Sequence, residues 1–108
     1  MIQRRENRSG LNAEEVQRLE NALLESRRVR RETIEKLGLS KTDDDLRLDA
    51  LAAREFAALA RVNEALQRLD AGDYGLCAGC GRPIGFERLA LQPAAPFCAD
   101  CEEAAEAA

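Results

Sequence analysis

Histidine and tryptophan are absent from this chain, tyrosine occurs once and phenylalanine three times. Without histidine no mixed Cys/His metal site can form, and no histidine-based nucleophile–base pair is available for catalysis. With 4% aromatics against 33% charged residues among 108, a large globular core is not expected. A chain so composed needs a covalent or metal staple, an elongated helical architecture, or both. No run of about twenty apolar residues occurs, which argues against a membrane-spanning helix. The opening stretch from Met1 to Arg8 is polar with no apolar stretch behind it. A secretory signal is therefore not expected, and the cysteines are expected to meet a reducing cytoplasm.

Those cysteines are the most informative residues present. All four fall in the last third, as Cys77-x2-Cys80, seventeen intervening residues, and Cys98-x2-Cys101. Each CxxC pair sets two sulfurs on one tight turn, and two such turns complete a tetrahedron around Zn²⁺. Two disulfides are the competing arrangement, disfavoured in a reducing compartment. Dithiol redox chemistry would want a βαβ context that the pattern does not provide. With sulfur at all four positions there is no open place for a catalytic water, so one structural zinc ion per chain is expected. The segment around the cysteines is also acidic. Residues 72–108 hold Arg82 and Arg88 against Asp73, Glu87, Asp100, Glu102, Glu103 and Glu106, whereas residues 1–71 balance 14 basic with 14 acidic groups. Phosphate backbones are bound through basic clusters, so direct DNA binding is not expected despite the zinc-finger spacing.

The preceding segment reads as a helical arm. Residues 1–11 form a polar lead, read as frayed up to Gly10. Asn12 is a candidate N-cap and Glu15, three residues on, completes a capping box. Val16, Leu19 and Leu23 recur at helical spacing, and Ile34 and Leu37 resume the stripe beyond Arg27, Arg28, Arg30 and Arg31, which read as a solvated face. Gly38 is placed to terminate the helix. Thr42 then caps a second helix whose first turn carries Asp43, Asp44 and Asp45, where the helix dipole favours negative charge. Leu48, Leu59, Val62, Leu66 and Leu69 follow a heptad-like series, with Ala52 and Glu55 at weaker positions between them. Two helices of about 26 residues joined by a short turn must run antiparallel as neighbours. The expected fold is mostly α: a two-helix hairpin over 12–71 with an acidic tip near 41–49, then a four-cysteine zinc module with a short terminal helix over 72–108.

Several residues carry a resemblance to a known family. The stretch from Gly72 through Tyr74, Gly75, Cys77, Cys80, Gly81, Ile84, Arg88 and Leu89 to Pro93, Phe97, Cys98 and Cys101 resembles the C4-type zinc finger of the DksA/TraR family. It spans about thirty residues, and the hairpin agrees with the family's architecture without a comparable motif. The resemblance implies a non-enzymatic regulator that binds bacterial RNA polymerase. It would insert the hairpin into the secondary channel and modulate initiation, in some members together with guanosine tetraphosphate and in stress responses. The family's active tip pattern is Asp-x-x-Asp-x-Ala. Here the frame is Asp45-Leu46-Arg47-Leu48-Asp49-Ala50, with Leu48 in place of the second Asp. Asp49 lies about 100° further around the helix. Asp43, Asp44, Asp45, Asp49 and Ala50 are the candidate partner-binding residues. Of the basic residues implied for the alarmone, Arg61 is kept, while Gln92 and Glu102 stand where the others are expected, which argues against a guanosine tetraphosphate response.

On residue chemistry, Gly75 and Gly81 suit backbone turns with positive φ. Ile84, Leu89 and Phe97 are candidates for a small core beside the cysteines, with Tyr74 against the hairpin base. Arg88 is expected to neutralise the thiolates, or to pair with Glu87 or with an acid on the last helix. A zinc-stapled adaptor for another protein partner is the alternative function. A nucleic-acid binder and an enzyme rank behind it.

Overall fold

The computed structural model describes residues 6–38 and 46–107, with the side chains of 46–49 and of 107 outside the description. Four helices follow one another: α1 (Ala13–Lys36), α2 (Leu46–Ala71), α3 (Phe86–Leu91) and α4 (Ala99–Ala107). No strand occurs among the described residues, and a single isolated bridge joins Leu76 to Pro83. The mostly α fold expected of the sequence is the fold observed.

Helix α1 begins where its local chemistry dictates. The Asn12 side chain accepts from the Glu15 N–H at 2.7 Å, and the Glu15 carboxylate accepts in turn from the Asn12 N–H at 3.0 Å. This reciprocal box satisfies two donors that a helix start leaves without partners. At the other end Leu37 is the C-cap and Gly38 follows at φ +62°, the left-handed conformation that lets a helix stop. The proposed Thr42 cap and the acids Asp43, Asp44 and Asp45 lie outside the described residues.

Leu19 and Leu23 of α1 meet Val62, Ala65 and Leu69 of α2 in one buried cluster. Further along, Arg30 of α1 pairs with Glu55 of α2. Rising numbers on one helix therefore face falling numbers on the other, and the pair is an antiparallel hairpin. Its core is concentrated at the base. Tyr74 and Leu89 join the same cluster from the C-terminal module, with Leu11, Val16, Leu66, Ile84, Phe86 and Ala94 packed around it. Towards the tip, Ala52 is the buried residue on α2, and Leu24, Val29 and Leu51 are exposed. The Cα radius of gyration is 15.4 Å, above the roughly 13 Å of a compact chain this long.

Three expectations are corrected. Leu37 does not continue the apolar stripe, being 55% exposed beside the helix-terminating glycine. The arginine run is not wholly a solvated face, because Arg30 turns into the hairpin seam. Nor does the lead fray throughout: residues 7–9 are hydrogen-bonded against the hairpin base, with Ser9 buried.

Candidate metal centre

Two turns of different construction bring the cysteines together. The first follows α2 directly. Leu69 and Arg68 carbonyls accept from the N–H groups of Gly72, Asp73 and Tyr74, ending the helix in a tight turn. Tyr74 is then buried, and its hydroxyl donates to the Pro93 carbonyl at 2.9 Å. Gly75, at φ +92°, turns the chain into the cysteine loop, and its carbonyl accepts from Ile84 N–H at 2.7 Å. The Cys77 N–H donates to the Arg82 carbonyl at 2.8 Å and the Gly81 N–H to the Cys77 carbonyl at 2.9 Å, closing the loop around Cys80. Gly81 takes φ +77° there, so both glycines flagged in the sequence occupy the conformation that disfavours a side chain.

The second turn is a helix start. Cys98 immediately precedes α4, its carbonyl accepting from Glu102 N–H, and Cys101 lies in the first turn. The two turns are joined by an Ala78 N–H donation to the Pro96 carbonyl at 2.8 Å. Arg88 of α3 fastens the second turn from outside, donating from Nε to the Phe97 carbonyl at 3.1 Å and pairing with the Glu102 carboxylate. Of the roles considered for Arg88, pairing with an acid on the last helix is the one observed. Phe97 stays 38% exposed. It borders the site instead of filling a core, and Leu89 and Ile84 do the packing.

The ligand atoms of Cys77, Cys80, Cys98 and Cys101 all lie within 4.8 Å of one another. The Cys80 and Cys98 sulfurs are 3.8 Å apart. A tetrahedron with metal–sulfur bonds of ~2.3 Å has edges of about 3.8 Å, whereas a disulfide would need ~2.05 Å. Backbone amides point at the sulfurs as thiolates require: Gly79 N–H donates to Cys77 Sγ at 3.3 Å, and Cys101 N–H to Cys98 Sγ at 3.4 Å. Sequence reasoning passed over Gly79. A Cβ there would sit 3.2 Å from Cys101 Sγ and 3.6 Å from the Phe97 ring, so a side chain at this position would press on the cluster. The signal was available in the middle of the CxxC turn, where the backbone passes closest to the opposite pair.

The electrostatics call for a cation. Desolvation pushes the Cys77 thiol up, but hydrogen bonds from the amides of Cys98, Cys80 and Gly79 and from the Cys101 side chain outweigh it and bring the group down to about 6. The Cys101 thiol is pushed up to about 12, first by its hydrogen bonds with Cys77, Cys98 and Cys80, then by burial and the neighbouring negative charge. Sulfurs this close oppose one another's ionisation, and the Cys77 thiolate is favoured at the expense of Cys101. A divalent, thiolate-seeking ion removes that conflict, and the geometry fits zinc. Such a centre, set at the base of a helical hairpin, defines a zinc-stapled helical protein whose metal has a structural role.

The family model described as the prokaryotic dksA/traR C4-type zinc finger matches residues 72–107, which include all four cysteines. The transcription factor DksA2 from Pseudomonas aeruginosa superposes with a TM-score of 0.71 at 30% identity, covering 91% of this chain and 88% of that one. This chain belongs to the DksA/TraR family of C4-type zinc finger proteins, and its cofactor is a single zinc ion. Among curated relatives, the RNA polymerase-binding transcription factor DksA of Haemophilus influenzae is 40% identical over 53 residues, or 49% of this chain and 37% of that protein. Its counterpart from Escherichia coli is 36% identical over 53 residues, or 49% and 35%. The matched segment thus spans little more than a third of these relatives' length. The RNA polymerase binding protein and transcriptional regulator Dks from Chlamydia trachomatis shares the fold, with a TM-score of 0.65 at 24% identity over 89% of this chain and 92% of that one.

The tip residues are placed less fully. Asp49 and Ala50 fall in the first turns of α2, with Ala50 exposed, and Asp43, Asp44 and Asp45 lie outside the described residues. Arg61, Gln92 and Glu102 are brought together. They all line a cleft of about 510 Å³ between the hairpin and the 91–96 segment, along with Arg30 and Arg54.

Proposed function

We propose that this chain is a transcription regulator that binds bacterial RNA polymerase through the secondary channel, entering tip first, and modulates initiation. The observation that carries this reading is the architecture itself. A hairpin two helices thick, with its packed core at one end, projects from a zinc module held by Cys77, Cys80, Cys98 and Cys101. A rod of that kind suits a narrow pore, and the proteins named DksA to which the chain is similar are described as polymerase-binding transcription factors. The zinc is structural in this reading, no catalytic role is assigned to any residue, and the setting is the cytoplasm. No described helix is long and apolar enough to cross a membrane. The acidic balance of residues 72–108 speaks against duplex DNA as the partner.

Tip residues Asp43, Asp44, Asp45, Asp49 and Ala50 are proposed as the partner-contacting end. With Leu48 interrupting the acidic pattern, regulation is expected to be weaker than polymerase binding. Gln92 and Glu102 line the cleft at the two positions where the resemblance expects basic residues, and no guanosine tetraphosphate dependence is proposed.

The test is binding of the zinc-loaded protein to bacterial RNA polymerase in competition with a known secondary-channel factor. Mutual exclusion is the expected result. Binding without competition would move the contact to another polymerase surface, and no binding at micromolar protein would favour an adaptor for a different partner. Within the channel reading, Asp45→Asn should weaken regulation at a sensitive promoter more than it weakens binding. Equal loss of both would make the tip an affinity element instead.

A further inference from the structure

The polar residues before α1 are the part of the molecule that the metal centre and the hairpin do not account for. Three of them are engaged with one short stretch far along the chain. The Arg8 N–H donates to the Gly72 carbonyl at 2.9 Å, and Asn7 Nδ2 donates to the Tyr74 carbonyl at 2.9 Å. The Arg8 guanidinium pairs with the Asp73 carboxylate. Asn7 also holds its own turn, its Oδ1 accepting from the Ser9 N–H at 2.9 Å and from the Ser9 hydroxyl. Ser9 is buried, 6% exposed, although its side chain is a hydroxyl. It lies over Gly75 so closely that a Cβ on that glycine would come 2.7 Å from Ser9 Oγ and 3.0 Å from Leu11 Cδ1.

Gly72, Asp73, Tyr74 and Gly75 form the lead-in to Cys77. On the inner side this lead-in is held by α2 and by the first cysteine loop: Arg68 donates to the Leu76 carbonyl at 2.6 Å and Ile84 N–H to the Gly75 carbonyl. Its outer side is covered by residues 7–9. We propose that residues 7–11 act as a strap that closes over the lead-in, retaining the zinc ion and fixing how the zinc module sits on the hairpin. The lead-in cannot swing away from α2 without first releasing the strap, and Cys77 cannot leave the metal without moving the lead-in. The exposed Arg8–Asp73 pair contributes little. The two hydrogen bonds to main-chain carbonyls and the enclosed Ser9 carry the closure, because a buried carbonyl that loses its donor bears the full cost of desolvation.

This inference rests on the zinc reading, so the experiment begins with the metal content of the full chain. Absence of zinc would overturn that reading, not the strap alone. With zinc bound, transfer to a competing chromophoric chelator is timed in wild type and in Asn7→Ala/Arg8→Pro. The double variant removes both donors to the lead-in carbonyls. Asn7→Asp provides a single-site comparison, since it keeps the acceptor to Ser9 and replaces the donor to the Tyr74 carbonyl with a carboxylate oxygen. Hydrogen exchange over residues 72–84 is followed in parallel, and Arg18→Ala on the exposed face of α1 serves as control. The strap predicts zinc transfer roughly five- to twentyfold faster in the double variant, with a smaller acceleration in Asn7→Asp. It also predicts faster exchange over 72–84 with α1 and α2 protection near the tip unchanged. Zinc transfer at the wild-type rate while exchange over 72–84 rises would overturn the proposal, as would acceleration by the Arg18 control of equal size. If the double variant does not fold, Asn7→Asp decides alone: an unchanged transfer rate there overturns the strap.

Discussion

Tyr74 shows how one side chain ties hairpin to metal centre. It is 2% exposed, sits in the core with Leu69 and Leu89, and directs its hydroxyl proton towards the Pro93 carbonyl in the segment between α3 and the second cysteine pair. Burial pushes its phenol well above the ordinary value near 10. The sign of the consequence follows by linkage. Folding favours the neutral phenol, so this group's contribution to stability is fully present below about pH 10 and declines as the pH climbs from there towards the higher folded-state value. With no other tyrosine and no tryptophan in the chain, ionisation can be read directly from ultraviolet absorbance near 295 nm. The folded protein is expected to show much less phenolate at about pH 11 than the chain in denaturant, which is largely ionised there. A normal titration in the folded state would mean that the ring is not enclosed. Tyr74→Phe should cost about 1 kcal/mol in denaturant midpoint, the usual worth of one such hydrogen bond.

The helices carry a similar tension between chemistry and register. On α1 the heptad that contains Val16 and Leu23 continues to Arg30, and on α2 the one that contains Val62 and Leu69 runs back to Glu55. An ion pair therefore occupies a seam position where apolar residues stand nearer the base. The Arg30 and Glu55 atoms are 3.3 Å apart, with the Glu55 side chain 18% exposed. Part-buried charge is tolerated when paired, and it fixes register because a slipped hairpin would leave it alone. Arg30→Leu by itself is expected to lower the thermal midpoint, costing about 1–2 kcal/mol by stranding the carboxylate. Arg30→Leu/Glu55→Leu should be neutral or more stable than wild type. A double variant less stable than either single one would show that the pair contributes net binding between the helices. By contrast Arg28, bound to Glu25 and Glu32 along its own helix, is a surface arrangement worth little.

The same contrast explains how much could be read from the amino acids alone. The Asn12–Glu15 box, the Gly38 stop and the cysteine turns were legible because each is decided within a few residues. Arg30 was hidden among its neighbours, since the difference between a solvated arginine and a seam arginine lies on the other helix. The strap was hidden more deeply: Asn7 and Arg8 meet partners more than sixty positions away, and no local pattern announces a polar segment that folds back. Phe97 misled because an aromatic between two cysteine pairs looks like core, while the packing there is supplied by Leu89 and Ile84.

Taken whole, the described residues share one core, and it lies where three parts meet. Leu19 and Leu23 come from α1, Val62, Ala65 and Leu69 from α2, and Tyr74 and Leu89 from the zinc module. The cysteine loops add almost no apolar burial of their own, with Cys77 alone among the four buried. The metal therefore stabilises the fold indirectly, by holding in place the segments that deliver Tyr74 and Leu89. Removing it should not leave an intact hairpin beside a loose tail. Chelation by excess competitor is expected to release Tyr74 first, seen as a fall in its absorbance and fluorescence perturbation. Far-ultraviolet ellipticity should fall only in part, since Leu19, Leu23, Val62 and Leu69 still bury one another. Helix α4 should melt with the metal, because its start is Cys98 itself and its 9 residues are too few to hold alone. Zinc should restore both signals together as the thiolates are recaptured. Full ellipticity with Tyr74 still shielded in metal-free protein would mean that packing alone seats the module, and the staple would then be dispensable to the fold.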